Sequence, residues 1–431
     1  MGPKKNPPGK PSHSKGKNSE SKKLPKTGPS TSRRAENSED REINLSAAVS
    51  SIPLSLQQLL LNIFKPALLS PSSSPLLHAH DDQKTDPETK DDLHTQIQTL
   101  KAHLYNRDFV SAFADASPEL LRAYALRWSA SRCLAYVGVF KAVVETLLNG
   151  PKFKGKDDGG GTLQALCIGG GAGAEIIALA GVWRALLDEY QTLEIKEKEE
   201  SGDVDIGKLS LEDNNTTANK PSRSLPQLSI TAVDIAEWSN VVDRLSKNIH
   251  STAVPGSKSC HSPLLRDESS IKIAFHQLDV LSLSETELSY LISPQNSTHS
   301  TKLISLMFTL NELFSTSMPK TTQLLLRLTD MTEPGTILLI VDSPGSYSTL
   351  SLGGTTDSPS ETKQRQYPMK FLLEHTLLAV TEGKWEKILS QDSRWFRRDA
   401  SKLAYSVNLE GGEGLVKLED MRYQIHVYRR I

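Results

Sequence analysis

The sequence predicts an α/β fold in which helices cover both faces of a mostly parallel sheet. Three observations support this prediction. Short apolar runs alternate with helical patterns from residue 163 onward, glycines follow the first run, and aromatic-rich runs close the chain at Trp395–Tyr405 and Tyr423–Tyr428. We expect these last two runs to pair as an antiparallel hairpin, so that the final strand runs against the others. The predicted domain occupies residues 151–431.

The N-terminal residues 1–45 are predicted to be a disordered basic tail, because they are rich in Lys, Ser, Pro and Gly and cannot bury a core. The chain of 431 residues has a net charge of −1, but residues 1–34 alone carry +9, which leaves −10 on the remainder. Two interpretations stay open for this tail. It is either a solubilising segment or a nuclear or nucleolar targeting segment that also attracts RNA nonspecifically.

The next two segments connect the tail to the α/β domain. Residues 46–92 are predicted to be mostly linker, with one short apolar segment at Leu54–Leu69. Residues 93–150 are predicted to form an N-terminal helical layer. Its second helix begins with Ser117 as the N-cap and Pro118 at the first helical position, an arrangement that helix N-termini prefer.

The α/β domain is expected to contain seven strands, of which five apolar runs form the parallel part: Leu163–Ile168, Leu228–Val233, Ile271–Leu278, Leu303–Phe308 and Thr336–Val341. Three polar segments interrupt the alternation of strands and helices. They are expected to be surface insertions at 191–227, 250–270 and 344–366.

The composition excludes several classes of protein. Three cysteines are too few for a disulfide scaffold and show no paired metal-ligand spacing, so no metal is expected. No apolar stretch is long enough to span a membrane, and no apolar core follows the basic N-terminus as in a secretory signal. A soluble intracellular protein without a membrane partner is therefore expected.

The strongest local signal is the segment Cys167–Glu175, in which a strand turns through glycines into an apolar helix. Such a turn brings bare backbone close to a ligand and aims free N–H groups at it. The candidate cofactor contacts here are Gly169, Gly170, Gly171, Ala172 and Gly173. The alternative is an ordinary strand–helix turn without a ligand.

Two acids at the ends of the next strands favour a nucleoside ligand. Asp234 ends the second strand, where a carboxylate can bind both ribose hydroxyls, and Asp279 ends the third, where it can accept from an exocyclic amine. Each acid alone is commonly a helix cap or a solvated turn residue. Ile235, Val280 and Thr309 are included with them as candidate cofactor contacts.

The glycine spacing does not decide which nucleoside binds, because Gly169, Gly171 and Ala174 also fit the dinucleotide pattern G-x-G-x-x-G/A. The acid after the third strand and the terminal hairpin favour S-adenosylmethionine (SAM). Seven strands with a reversed last one resemble the Rossmann-like methyltransferases. That family usually has an acid two residues before the first glycine, where this chain has Cys167.

The chain also resembles a narrower family, the fungal SAM-dependent 25S ribosomal RNA uridine-N3 methyltransferases. The resemblance covers about residues 93–431 apart from the insertions, and its motifs are Leu104–Phe109, Arg122–Ser129, Cys167–Glu175, Phe308–Phe314 and Tyr423–Arg429. It implies SAM as the cofactor and large-subunit ribosomal RNA or its precursor as the partner. It also implies a monomer in the nucleus or nucleolus, with the cytoplasm as the second location.

Candidate catalytic residues follow from methylation of a uridine N3 that must first be exposed and deprotonated. Asn311 and Glu312 come at the end of the fourth strand, where an amide can read the uracil edge and a carboxylate can accept the proton. The alternative is that this pair only caps the following helix. Asp342 and the Tyr347 loop either cover the substrate or form a solvated turn.

Candidate RNA contacts are Arg127 and Arg132 beside Trp128, and Arg397 beside Trp395. Arginine next to an aromatic ring suits single-stranded RNA, whose bases stack while its phosphates pair with guanidinium groups. The alternatives are a core Trp128 with Arg127 in an internal ion pair, and a solvated hairpin edge around Trp395.

Three other functions compete with RNA methylation. They are methylation of a protein or small molecule by SAM, a catalytically silent ribosome-assembly role, and NAD-dependent oxidoreduction. Binding of labelled SAM separates methyltransferases from a dehydrogenase. Loss of one modified rRNA nucleotide on deletion separates the RNA enzyme from the others.

Overall fold

The computed structural model describes residues 43–69, 88–150, 161–200, 225–294, 300–345, 347–351, 364–398, 402–407 and 416–431. The predicted disordered tail up to residue 42 lies outside these residues. So do residues 70–87 of the predicted linker and the central parts of the insertions at 191–227 and 344–366.

The centre of the molecule is a seven-stranded sheet in the order β3-β2-β1-β4-β5-β7-β6. Its strands are β1 Thr162–Ile168, β2 Gln227–Asp234, β3 Ile271–Gln277, β4 Leu303–Met307, β5 Ile337–Asp342, β6 Trp385–Phe396 and β7 Met421–Arg430. The first five strands are parallel, and β7 runs antiparallel to both β5 and β6. The predicted fold class, including the reversed last strand, is confirmed.

One strand lies earlier in the chain than predicted. The sequence placed the sixth strand at Trp395–Tyr405, whereas β6 ends at Phe396. Two irregularities in its pairing with β7 break the simple alternation of side chains that marks a strand in sequence. Two short hairpins lie outside the main sheet, and they pair Tyr347–Ser351 with Gln364–Pro368 and Ser406–Val407 with Val416–Lys417.

The α-helices are α1 Leu45–Ser50, α2 Leu54–Leu69, α3 Glu88–Asn106, α4 Pro118–Tyr124, α5 Ala130–Leu148, α6 Ala174–Glu200, α7 Ser239–Ile249, α8 Glu285–Ile292, α9 Leu310–Thr316, α10 Met318–Met331 and α11 Met369–Glu374. Turns of π-helix occur at Val110–Ala114, Ala125–Ser129 and His375–Val380, and a 3₁₀ turn at Glu268–Ser270. No helix among the described residues is long and apolar enough to cross a membrane.

Two apolar cores cover the faces of the sheet, because successive side chains of a strand point to opposite sides. On β1, Ala165 and Cys167 belong to one core, and Leu166 and Ile168 belong to the other. The first core contains the N-terminal helices, and the second contains apolar residues of α8 to α11. The carboxyl ends of the parallel strands therefore form one edge between two covered faces.

The segment predicted to be mostly linker contributes to the core instead. Leu54–Leu69 forms α2 and buries eight of its residues, and α2 packs on α5, α6 and α7. Asn44 caps α1 by accepting a hydrogen bond from the Ala47 N–H at 3.0 Å. The pattern predicts a helix only weakly here, because Pro66 lies inside α2 and the apolar residues of α2 are not confined to one face.

The predicted insertions are also more integrated than expected where they are described. Residues 191–200 continue α6. The segment 250–270 buries Val254, Cys260, Leu264 and Leu265 in the first core, so it is not only a surface loop. Isolated apolar residues in a Ser-rich segment carry no periodic signal, which explains why the sequence analysis missed their burial.

Candidate functional site

The glycine turn after β1 requires glycine at specific positions. Gly169 and Gly173 have φ angles of +79° and +83°, in the left-handed region that side chains disfavour. A Cβ on Gly169 would lie 2.1 Å from Oγ1 of Thr309, and one on Gly171 would lie 2.0 Å from Cδ1 of Trp238. The turn therefore packs its backbone directly against two neighbouring elements.

Asp234 at the end of β2 holds this turn in place. Its Oδ2 accepts a hydrogen bond from the Gly171 N–H at 3.1 Å, and its Oδ1 accepts one from the Ala236 N–H at 3.2 Å. Burial raises the pKa of Asp234, although these hydrogen bonds oppose that rise. The carboxylate thus connects the ends of the first two parallel strands.

A pocket opens at the carboxyl ends of β1 to β4. Its lining includes nine of the candidate site residues: Arg132, Gly169, Ala172, Asp234, Ile235, Asp279, Val280, Thr309 and Glu312. Six candidate site residues are described but do not line it: Arg127, Gly170, Gly171, Gly173, Asn311 and Arg397. The structure therefore brings most of the predicted cofactor contacts together in one pocket, at the edge of an α/β sheet where ligands commonly bind.

Asp279 is held in a tight turn on the pocket wall. Its Oδ1 accepts from the Leu281 N–H at 2.9 Å, and its Oδ2 accepts from the Ser282 hydroxyl at 2.5 Å. These bonds fix the carboxylate after β3 and still leave it lone pairs for a ligand.

The N-terminal helical layer supplies one side of the pocket. Ser129 lies at the end of the π-helical turn between α4 and α5, and its hydroxyl donates to the Ala172 carbonyl at 2.7 Å. This bond joins the helical layer to the glycine turn. Turns of π-helix are frequent at functional sites, because they change which side chains face inward.

Arg132 lies inside the pocket rather than on an open RNA-binding surface. Its Nη1 donates to the Tyr124 hydroxyl at 2.5 Å. Its guanidinium lies 5.4 Å from the Tyr124 ring centroid and 5.0 Å from that of Phe308. Tyr136 also lines the pocket and stacks on Phe308 with centroids 6.5 Å apart. These rings make one wall flat and aromatic.

The pocket is acidic. Its described lining contains four carboxyl side chains, from Glu175, Asp234, Asp279 and Glu312, and one cationic side chain, Arg132. Burial raises the pKa of both Glu175 and Glu312 to about 8, and the Arg132 guanidinium opposes that rise. A ligand that carries positive charge would favour the ionised form of these carboxyls, so the site suits such a ligand.

Cys167 stands where Rossmann-like methyltransferases usually have an acid, but another carboxyl, that of Glu175, lines the pocket. Cys167 is 1% exposed and packs in the first core, so it does not face the pocket. Glu175, in the first turn of α6, is 4% exposed and lines the pocket. Glu175 ends the glycine motif in the sequence but was not among the candidate site residues.

Asn311 and Glu312 at the start of α9 differ in where they lie. Glu312 lines the pocket, whereas Asn311 does not. The Asn311 N–H donates to Oδ2 of Asp342 at 2.9 Å, and its Oδ1 is buried with no hydrogen-bond partner among the described atoms. Asp342 also accepts from the Ser343 N–H at 2.7 Å, and burial raises its pKa to about 6. Asp342 thus anchors the helix that carries Glu312.

The other two predicted RNA contacts have different surroundings. Arg127 forms an ion pair with Glu419, and its side chain is only 11% exposed. This is the internal ion pair considered as its alternative role. Arg397 is exposed, and its guanidinium lies 5.3 Å from the ring of Trp395.

Several pocket residues escaped the sequence analysis. Tyr124 and Tyr136 were counted as members of an apolar helical stripe, and Phe308 as the end of a strand. Phe308 has a φ of +61°, which is rare for a bulky side chain and marks a constrained backbone at the end of β4. No sequence pattern separates a tyrosine that lines a cavity from one buried in a core.

The strand order, the glycine turn after β1 and the acids after β2 and β3 define a Rossmann-like methyltransferase fold with a pocket at the carboxyl edge of the sheet. Residues 80–429 match the family model described as a putative SAM-dependent methyltransferase, and the chain belongs to this family. The predicted cofactor, SAM, is confirmed at the level of the family.

A curated relative narrows the comparison. The chain is 32% identical over 333 residues to the 25S rRNA (uridine(2843)-N(3))-methyltransferase of Saccharomyces cerevisiae. The alignment covers 76% of this chain and 78% of the yeast protein. The family resemblance predicted from the sequence motifs is therefore confirmed.

Two solved structures are also similar. The 1,6-didemethyltoxoflavin-N1-methyltransferase of Burkholderia thailandensis is 11% identical, with a TM-score of 0.30 over 84% of this chain and 97% of that one. A SAM-dependent methyltransferase of Methanosarcina mazei is 12% identical, with a TM-score of 0.27 over 62% and 92% of the two chains.

Proposed function

We propose that this protein transfers the methyl group of SAM to N3 of a uridine in large-subunit ribosomal RNA. The observation that carries the proposal is the 32% identity to a yeast enzyme of this specificity over 76% of the chain. The acidic pocket at the carboxyl edge of the sheet supports the proposal, because methyl transfer needs a site for SAM and most of the candidate SAM contacts line this pocket.

The pocket residues fit the cofactor. SAM supplies a methyl group on a positively charged sulfonium, and it also carries an ammonium group. Four carboxyl side chains line the pocket, which matches these positive charges. In this proposal Asp234 binds the ribose hydroxyls, Asp279 binds the adenine amine, and the turn from Gly169 to Gly173 contributes backbone N–H groups to the ligand. Glu175 is the further carboxyl available to the ammonium group.

Glu312 is the proposed acceptor of the N3 proton. Its carboxyl lines the pocket, and its pKa of about 8 lies close to physiological pH, where a general base is most effective. Asp342 positions it by accepting the Asn311 N–H at the start of α9. Asn311 itself does not line the pocket, so contact between its amide and the uracil edge would require its side chain to turn.

The aromatic wall suits a base that has left its stack. Phe109, Phe113, Tyr124, Tyr136 and Phe308 all line the pocket. Enzymes that modify a base hold it between aromatic and apolar side chains after extruding it from the helix or loop. The same rings exclude water from the transfer step.

The expected partner is ribosomal RNA or its precursor, and the expected location is the nucleus or nucleolus. The support is the printed specificity of the yeast relative together with the basic segment 1–34. A monomer is the proposed oligomeric state.

The proposal is tested by nucleoside analysis of rRNA from cells that lack the protein. Deletion should remove one 3-methyluridine, and the wild-type gene should restore it while Asp234→Ala should not. Unchanged 3-methyluridine would exclude the proposed substrate. Rescue of ribosome production by a variant that does not methylate would instead favour the assembly role.

A further inference from the structure

Three stacked rings lie on the protein surface at α11. The centroids of Tyr367 and Phe371 are 5.5 Å apart with 21° between their planes, and those of Phe371 and His375 are 6.2 Å apart with 24°. Phe371 is 51% exposed, and His375 is exposed as well. Tyr367 is half-buried. The exposed faces of the nearly parallel Phe371 and His375 rings contribute little to folding, so they suggest a ligand with flat faces.

A second exposed aromatic group lies on β6. Trp395 is 51% exposed and is paired in register with Arg422 of β7. The guanidinium groups of Arg397 and Arg422 lie 5.3 Å and 5.9 Å from its ring centroid. Neither arginine forms an ion pair with a carboxylate in the part of the chain that the structure describes.

Ion pairs join these two groups. Lys370, next to Phe371, pairs with Asp392 of β6 at 2.6 Å, and Glu374 of α11 pairs with Lys387 of β6 at 3.1 Å. The helix with the ring stack is therefore fastened to the strand that carries Trp395. The two groups therefore lie on neighbouring elements, α11 and β6, on the side of the sheet where β6 is the last strand.

This region lies at the same edge of the sheet as the pocket. β6 is antiparallel to β7, and β7 is antiparallel to β5, so the end of β6 at Trp395 lies at the carboxyl edge. Strands β4, β5, β7 and β6 are neighbours in that order. Three strand spacings of about 4.8 Å separate β6 from β4 sideways by about 14 Å. The register places Met307 at the end of β4 level with Gln391, so Trp395 lies four residues further along. A polynucleotide chain can extend over this distance.

We propose that Tyr367, Phe371, His375, Trp395, Arg397 and Arg422, here called the stacking surface, bind single-stranded RNA that flanks the methylated base. The inference rests on the proposed function and specifies how the substrate is held. Bases stack on aromatic faces, and guanidinium groups pair with phosphates. An acidic peptide would use the two arginines but has no flat groups for the rings, so RNA matches the whole surface.

The test compares binding of a labelled single-stranded uridine-rich oligomer with binding of an abasic oligomer of equal length, measured by fluorescence anisotropy. Phe371→Ala and Trp395→Ala should each weaken binding of the base-bearing RNA about 5- to 100-fold and leave the abasic RNA almost unchanged. Arg397→Gln and Arg422→Gln should weaken both RNAs and reduce the dependence on salt.

Tyr290→Ala is the matched control. Tyr290 is 54% exposed on α8. This helix follows β3, which is the outer strand on the far side of the sheet from β6, so loss of the Tyr290 ring should not change RNA binding. Trp395→Phe should recover most of the affinity lost in Trp395→Ala. Thermal unfolding of each variant identifies any that lost its fold.

The proposal would be overturned if Phe371→Ala and Trp395→Ala bound the base-bearing RNA as tightly as the wild type does. It would also be overturned if Tyr290→Ala lost as much RNA affinity as they do. Binding of polyglutamate as tight as that of RNA would also overturn it in favour of an acidic protein. Failure of the proposed function is a separate result. If the wild type methylates no RNA, the proposed function fails, whereas the anisotropy series still decides whether the stacking surface binds RNA.

Discussion

Replacement of Glu312 by Gln distinguishes two interpretations of this residue. Glu312 is either a general base or a residue of the α9 N-terminus with no role in catalysis. Glu312 lines the pocket, and burial together with the nearby Asp342 carboxylate raises its pKa to about 8. Glutamine preserves the shape of the side chain and removes its titration. The two interpretations therefore predict different rates and different dependences on pH.

The pKa sets the size of the effect on activity. With a pKa of about 8, about 1% of the carboxyl is ionised near pH 6 and about 90% near pH 9. A general base would therefore raise kcat/KM for RNA by up to about 90-fold over this interval, measured with SAM far below saturation so that the free enzyme is observed. Glu312→Gln should lower the rate about 10²- to 10⁴-fold and remove this rise.

Stability gives an independent check of the same pKa. Glu312 would ionise near 4.5 in the unfolded chain and near 8 in the folded one, so between these values only the folded state holds the proton. Between about pH 6 and pH 8 the wild type should therefore lose about 2 kcal/mol more unfolding free energy than the variant, because the raised pKa of Glu175 destabilises both proteins over the same interval. Urea unfolding of the cofactor-free proteins measures it.

The matched condition is about pH 6, where the wild-type carboxyl is neutral and glutamine imitates it. Both proteins should bind SAM with equal affinity there. The deprotonated fraction of the uridine N3 also rises with pH, and that contribution persists in both proteins. A variant with the wild-type rate and the wild-type pH profile would refute Glu312 as the base.

Three further changes test other parts of the site and fold. Gly171→Ala places a Cβ 2.0 Å from the Trp238 ring, so the turn must shift. The variant should show no SAM binding in calorimetry and should lose about 1 to 3 kcal/mol of unfolding free energy in urea. Unchanged affinity for SAM would contradict the close packing of this turn. Asp234→Asn should weaken SAM about 10- to 100-fold in the same titration, since a charged acceptor is lost, and undiminished binding would remove Asp234 from the site. Leu60→Ala in α2 should cost about 2 to 5 kcal/mol, because this side chain is fully buried; a loss below about 0.5 kcal/mol would mean that α2 is not core.

The parts of the site that the sequence predicted depend on local geometry. The glycine turn follows directly from a buried strand, and Asp234 and Asp279 stand at strand ends. Parallel strands bring such ends to one edge, so residues far apart in the chain could be placed together without knowing their packing. For this reason these contacts were predictable from position alone.

The parts that were missed depend on packing between distant segments. Whether Tyr124 faces the pocket or the core depends on the π-helical turn after it, which no residue pattern marks. Arg132 was expected on an RNA-binding surface, but the rings of Tyr124 and Phe308 enclose it. The burial of α2 likewise arises from contacts with α5, α6 and α7 rather than from its own periodicity.

The measurement that tests the central claim most directly is methyl transfer by the purified protein. Large-subunit rRNA from cells that lack the protein would be incubated with SAM carrying a deuterated methyl group, digested to nucleosides and analysed by mass spectrometry. We expect the label in 3-methyluridine, at one position of the rRNA, and its loss in Asp234→Ala. Label in a different nucleoside, or no label in RNA while SAM still binds, would contradict the account.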